Sequence, residues 1–212
     1  MQRIYLYLAA AAAATAAVIA LHQTVSGPAP GSASQAAATA TTAAGPPPLP
    51  EWLLGDAPAS LTVASPAWPR GGRIPPRYTC DDSDVNPPLR WGNVPATARS
   101  ILVLVYDPDA PSGFFIHWVI YNIDPRREGL PAAVPRRPMT SYGAQAVNDF
   151  GRVGYGGPCP PSGRHRYVFL VLALDDVLRS PPGSPARRVL EEARGHVLAY
   201  GYTWGTYSRQ SQ

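Results

Sequence analysis

Residues 100–122 read SILVLVYDPDAPSGFFIHWVIYN, two apolar runs separated by a polar break that holds two prolines. Ser100 to Tyr106 is apolar, rich in β-branched residues and uncharged, the pattern of a strand buried on both faces. Pro108 and Pro111 fix φ and remove two amide donors, so this strand is predicted to end at Asp107. A sharp turn here predicts that at least one of the Asp107–Pro108 and Ala110–Pro111 bonds is cis. Ser112 and Gly113 continue the turn, and Ile116 to Asn122 reads as a second strand with His117 near its start. A hairpin return of this kind brings Asp107, Asp109 and His117 to one edge of a sheet. His165-Arg166-Tyr167 follows the Gly/Pro-rich run Gly154 to Gly163, and the two segments are predicted to build one small polar pocket.

Outward from this hairpin the chain stays β-rich. Leu61 to Ser65 alternates, Leu89 to Trp91 follows a double proline, and Tyr167 to Leu174 is continuously apolar and therefore central. Leu198, Tyr200, Tyr202 and Trp204 alternate with smaller residues as a last strand. Pro66 to Pro76, Asp124 to Tyr142 and Asn148 to Gly163 are dense in turn formers and read as loops. One helix is signalled: Ser184 as N-cap, Pro185 at the first position, then Ala186, Val189, Leu190 and Ala193 on one face, with Gly195 just past the end. No internal repeat is visible. Residues 51–212 are predicted to form one mainly β domain of antiparallel strands with few helices.

The first 50 residues differ in kind. Ile4 to Leu21 is uncharged and Ala-rich behind Arg3, so residues 1–21 are expected to be a signal peptide or a membrane anchor. The single arginine places the N-terminus inside and the bulk of the chain outside, an extracytoplasmic location, membrane-anchored or secreted. Residues 22–50 are mostly Ala, Thr, Ser, Gly and Pro with no large core-forming run, and are expected to be a disordered tether, stiffer near Pro46-Pro47-Pro48. All 18 basic residues are arginine, against 14 acidic ones, and they are scattered as pairs at most. A nucleic-acid surface needs a concentrated basic stripe, so nucleic acid is not an expected partner.

Cys80 and Cys159 are not spaced as a metal knuckle. Outside the membrane they are expected to pair, tying the 78–86 loop to the Gly/Pro-rich loop; two free buried thiols are the other reading. Asp107, Asp109, His117 and His165 admit four readings. An anion pocket would use a charged or amide-assisted histidine, bare amides from Gly154 to Gly157, and a carboxylate that orients an imidazole and raises its pKa. A metal site lacks any HxH or HxxxH spacing. A serine hydrolase would use Ser112 or Ser162, but there is no G-x-S-x-G elbow. Finally, the aspartates could merely cap the turn and His117 could be a satisfied core histidine. The joint placement of carboxylates and histidines beside proline- and glycine-dense loops favours the anion pocket. No cofactor, catalytic residue or metal ligand is assigned.

The motifs DPDAP at 107–111, His117-Trp118 with Asn122, and GYGGPCPPSGRHRY at 154–167 resemble the phosphatidylethanolamine-binding protein family, in its bacterial and archaeal, Raf-kinase-inhibitor-like branch. Tyr78-Thr79-Cys80-Asp81, Pro87-Pro88-Leu89, Asn148-Asp149-Phe150-Gly151 and Gly195-His196 are similar to the same branch, and the resemblance spans Leu61 to Arg209. It implies a β-sandwich-like fold, a large antiparallel sheet against a smaller one. It also implies a pocket for phosphate-like groups, phospholipid headgroups included. By motif position the pocket residues are Asp107, Asp109, Pro111, His117, His165 and Tyr167, with Gly157 and Pro160 in the rim loop. One departure stands out: Cys159 occupies a position that is glycine in eukaryotic members. The kinase-inhibitor role of animal members rests on features outside these motifs, so the pocket carries over and the kinase does not. The expected function is a non-enzymatic anion- or headgroup-binding protein; the alternative is an inhibitor of a serine protease or another enzyme. Anion affinity is expected to fall as pH rises through the histidine range, with His117 and His165 both made more basic by neighbouring carboxylates.

Overall fold

The computed structural model describes residues 45–209. The expected signal or anchor segment, 1–21, and the expected tether as far as residue 44 lie outside the described residues. Two antiparallel sheets carry the fold. The small one is β1 (Thr62–Ala64), β2 (Leu89–Gly92) and β5 (Gly129–Leu130), in the order β1-β2-β5. The large one orders β6 (Ala144–Gln145), β4 (Gly113–Ile123), β3 (Ser100–Ala110), β7 (His165–Leu174) and β8 (Val197–Tyr207) as β6-β4-β3-β7-β8.

The large sheet is covered on both faces, which is why β3 and β7 are apolar without interruption. Ile101, Val103, Val105, Phe169 and Val171 face Leu89, Trp91 and Trp68 on the small-sheet side. Leu102, Leu104, Leu170 and Leu172 pack on the other side against Leu53 of α1 (Glu51–Leu54) and Val189 and Leu190 of α2 (Ala186–Ala193). The predicted apolar face of α2 is the buried one. Its start differs by one residue: Pro185, extended and bridged to Val147, stands at the N-cap, and Ser184 makes no side-chain cap. Gly195 follows the end at φ +83°, as the capping pattern predicts.

Two expectations about the central hairpin are corrected. β3 does not end at Asp107 but runs to Ala110, and no peptide bond among the described residues is cis. The register explains both. Asp107 pairs with Phe115 and Ala110 with Gly113, so Pro108 and Asp109 together stand opposite Phe114. That is a bulge, where a missing amide donor disturbs no ladder bond. On its other side β3 pairs with β7 only as far as Tyr106. The reversal falls at Pro111 and Ser112, and Gly113 supplies the positive φ, +80°.

The end of the expected tether is also ordered onto the domain. Pro47 and Pro50 are buried. The Tyr106 hydroxyl donates to the Pro48 carbonyl at 2.8 Å, and Arg166 Nη1 donates to that of Pro46 at 3.0 Å. Prolines have little backbone freedom to lose, so short polar anchors suffice to order this segment.

Candidate functional site

A second bulge in the hairpin sets the site. Val105 pairs with Trp118 and Tyr106 with Ile116, so His117 has no partner of its own in the ladder. Ile116 goes to the helix-side core and Trp118 to the small-sheet side. A bulge re-aims a side chain, and the His117 ring is packed edge-on against Phe115, Phe150 and Tyr167 at centroid distances of 5.3, 5.1 and 5.2 Å. Its Nδ1 lies 2.6 Å from the Gly156 carbonyl. A carbonyl only accepts, so Nδ1 carries the proton. Burial pulls the His117 pKa down to about 4, against the raising pull of the Gly156 and Gly157 backbone. The expectation of a more basic His117 is therefore corrected: apolar rings surround it, and no carboxylate bonds to it.

The aspartate that does orient an imidazole is Asp107, whose Oδ2 lies 2.7 Å from Nδ1 of His165. Its Oδ1 accepts the Asp109 amide at 2.8 Å, so Asp107 caps the turn and holds the histidine at once. Burial raises the Asp107 pKa, with the His165 hydrogen bond and charge opposing. Tyr167 stands beside this pair, fully buried, and its hydroxyl is the one sealed side-chain polar atom without a partner among the described residues. Burial, then the charge of Asp107, pushes the phenol far above its usual range, so it remains an O–H donor.

Asp109 does not join them. It is gripped by Arg166 through Nη2 at 2.5 Å, Nε at 2.8 Å and the backbone amide at 2.9 Å. Burial pushes its carboxyl up, but the Arg166 hydrogen bonds outweigh that and hold it below the usual range. Asp109→Ala is expected to lower stability by about 2 kcal/mol, because it strands a partly buried guanidinium. Denaturant unfolding of wild type and variant checks this.

The rim loop is shaped by close backbone approach. A Cβ on Gly156 would stand 2.6 Å from the Phe150 ring, and one on Gly157 2.6 Å from the Tyr78 carbonyl. The amides expected to serve a ligand are taken by the protein itself. Gly154 N–H goes to Ala146, Gly156 N–H to the His117 carbonyl, and Gly157 N–H to Oδ1 of Asp84 at 2.6 Å. Asp84, which composition and spacing do not flag, also pairs with Arg136 and Arg152 at 2.8 and 2.9 Å. Asn148 closes the inner side, donating to the carbonyls of His117 and Gly154 and accepting from Phe150 and Arg152 amides. Cys80 and Cys159 are bonded, with Cα atoms 5.4 Å apart, and fasten this loop to the 78–86 segment as expected.

The resulting cavity has a volume of about 310 Å³. Asp107, His117, His165 and Tyr167 supply its polar end; Pro111, Phe115, Phe150 and Pro161 are among its apolar walls. Of the sequence-selected residues, Asp109, Gly157 and Pro160 are outside the lining, and Cys159 is inside it. Phe115 and Phe150 were legible only as apolar residues beside the motif. Neither histidine bonds a serine hydroxyl, and no three metal-type donors converge among the described residues. A larger groove, about 640 Å³, lies beside α1 and the turn before β8, where its charged residues are the exposed Glu51, Asp56 and Arg194.

Two antiparallel sheets with a largely apolar cavity at the tip of the central hairpin define a β-sandwich module of the binding-protein type. The chain belongs to the phosphatidylethanolamine-binding protein family, whose model matches residues 64–208. A UPF0098 protein of Methanothermobacter thermautotrophicus is 50% identical over 139 residues, which is 65% of this chain and 92% of that one. A UPF0098 protein of Aquifex aeolicus is 43% identical over 154 residues, 71% of this chain and 90% of the relative. The crystal structure of YbcL from E. coli, described as a new member of the mammalian family, superposes with a TM-score of 0.67 at 30% identity, covering 72% of this chain and all of that one. A Chlamydia trachomatis homologue gives a TM-score of 0.66 at 34% identity, covering 72% and 99%.

Proposed function

We propose that this protein is a non-enzymatic binding module whose hairpin pocket takes a small phosphate-type anion, free or as a phospholipid headgroup. One observation carries the reading. Two histidines and an unpaired buried phenol converge at the polar end of an otherwise apolar cavity. Each histidine has one ring nitrogen engaged by protein and the other without a protein partner. The cavity size is that of a small-molecule site. Display outside the cytoplasmic membrane is supported by the apolar run behind Arg3 and by the disulfide, which persists in oxidising compartments.

Titration of phosphate and phosphoethanolamine into wild type, His117→Ala and Asp107→Ala tests the pocket. His117→Ala is expected to weaken binding by about 1.5–3 kcal/mol, the value of a charge-assisted hydrogen bond. Asp107→Ala should weaken it too, although it removes a negative charge, because His165 loses its orienting partner. Unchanged affinity in His117→Ala would place the site elsewhere. Inhibition of a protease that survives both substitutions would favour action through a distant loop such as 125–142.

A further inference from the structure

The sheet ladder stops short of the pocket. β3 and β7 pair only as far as Tyr106 and Val168, so Asp107 and His165, whose side chains meet at 2.7 Å, lie beyond the last paired residues. β4 holds the tip of β3 and β8 holds the start of β7, out to His165 itself, but the ladder does not join the two tips to each other. The Arg166 amide points towards β3 and is taken by the Asp109 carboxylate instead. Side chains alternate across a strand. Asp107, Phe115 and His165 line the pocket, and their chain neighbours Tyr106, Phe114 and Arg166 meet the segment 46–54 on the reverse side. Tyr106 and Arg166 donate to the Pro48 and Pro46 carbonyls, Tyr106 stacks on Phe114 at 4.5 Å, and Trp52 stands edge-on to Phe114 at 6.2 Å. Leu53 and Leu54 root the far end of the segment in the helix-side core.

We infer that residues 46–54 are a strap that positions the Asp107–His165 pair, by tying β3 to β7 where their ladder has ended. The strap precedes residues 64–208, the part the family model matches, so the shared domain does not supply it. Arg166 is the joint: Nε and Nη2 grip Asp109 while Nη1 reaches the strap. The prolines let so few polar contacts suffice, because they leave the segment little backbone freedom to lose on docking. Tyr106 and Arg166 are thus positioning residues, acting on the ligand through Asp107 and His165. The effect on binding rests on the anion site proposed above, whereas the placement of His165 is a property of the ligand-free chain.

The test is the full chain carrying Pro46→Gly, Pro47→Gly and Pro48→Gly together, which keeps every strap carbonyl and returns backbone freedom to the segment. Without ligand, the ring-nitrogen NMR shifts of His165 should move as its bond to Asp107 loosens. Those of His117, held by the Gly156 carbonyl, should stay in place. Inorganic phosphate should bind about three- to tenfold more weakly, in proportion to the fraction of chains left with the strap undocked. The coupling is reciprocal. In wild type, saturating phosphate should therefore slow hydrogen exchange of the Leu54 and Gly55 amides, which close the strap on Pro50 and Glu51, by at least the factor in affinity that the variant loses. Unmoved His165 nitrogens overturn the inference, as do equal movements of both histidines, which would mean general loosening. Phosphate saturation that leaves the exchange of those amides unchanged overturns it independently of how the variant folds. Absence of phosphate and phosphoethanolamine binding to wild type overturns the anion site instead, and the ligand-free His165 shifts then decide the strap on their own.

Discussion

Acidification from pH 6.5 to about 4 is expected to remove on the order of 3 kcal/mol of folding stability through His117. The folded ring is buried among aromatic rings with its Nδ1–H already donated, so its pKa is depressed. Below pH ~6.5 the unfolded chain takes a proton on this histidine and the native chain does not. Stability therefore rises with pH across this window and is lost as pH falls through it, because the unfolded state binds more protons. Asp107 acts with the opposite sign, since burial raises its folded-state pKa and acid relieves that cost. Urea unfolding of wild type and His117→Gln between pH 7.5 and 4.5 separates the two. The variant should show a slope shallower by nearly 1.4 kcal/mol per pH unit below pH ~6.5, whatever its absolute stability. Equal slopes would show that His117 is protonated in the folded protein.

Breaking the Cys80–Cys159 bond is expected to cost about 4–5 kcal/mol, because it closes a loop with a sequence separation of 79. For a domain of this size that corresponds to a fall in Tm of about 10 °C. The bond also fastens the loop whose Gly156 carbonyl sets the His117 tautomer, so reduction should weaken the proposed anion binding as well as the fold. Cys80→Ser with Cys159→Ser, compared with reduced wild type, gives both readouts. Two alkylatable thiols in native, air-purified protein would remove the premise, and an unchanged Tm on reduction would show that the loop is held by Asp84 and Asn148 alone.

Local composition settled a good deal. The uncharged apolar runs at 100–106 and 167–174 read as strands buried on two faces, and both are. The apolar stripe of α2 and the glycine after it are local rules that tertiary contacts did not override. The chemistry of the pocket was legible as residue types: Asp107, His117, His165 and Tyr167 do meet in one cavity. The motif resemblance made that meeting explicit, where periodicity alone left four readings open.

What local pattern could not carry was register and pairing. Proline at 108 reads as a strand terminator, yet a bulge opposite Phe114 absorbs it, and a bulge is a relation between two strands. The same kind of offset at His117 directs its ring among Phe115, Phe150 and Tyr167 and makes it less basic, where proximity in sequence suggested the reverse. Asp107 and Asp109 are equivalent in the sequence. Only the partner brought in by β7 distinguishes them, His165 for one and Arg166 for the other. Residue type sets which charges and hydrogen bonds are available. Desolvation and partner geometry, which depend on chain segments distant in sequence, decide which are used.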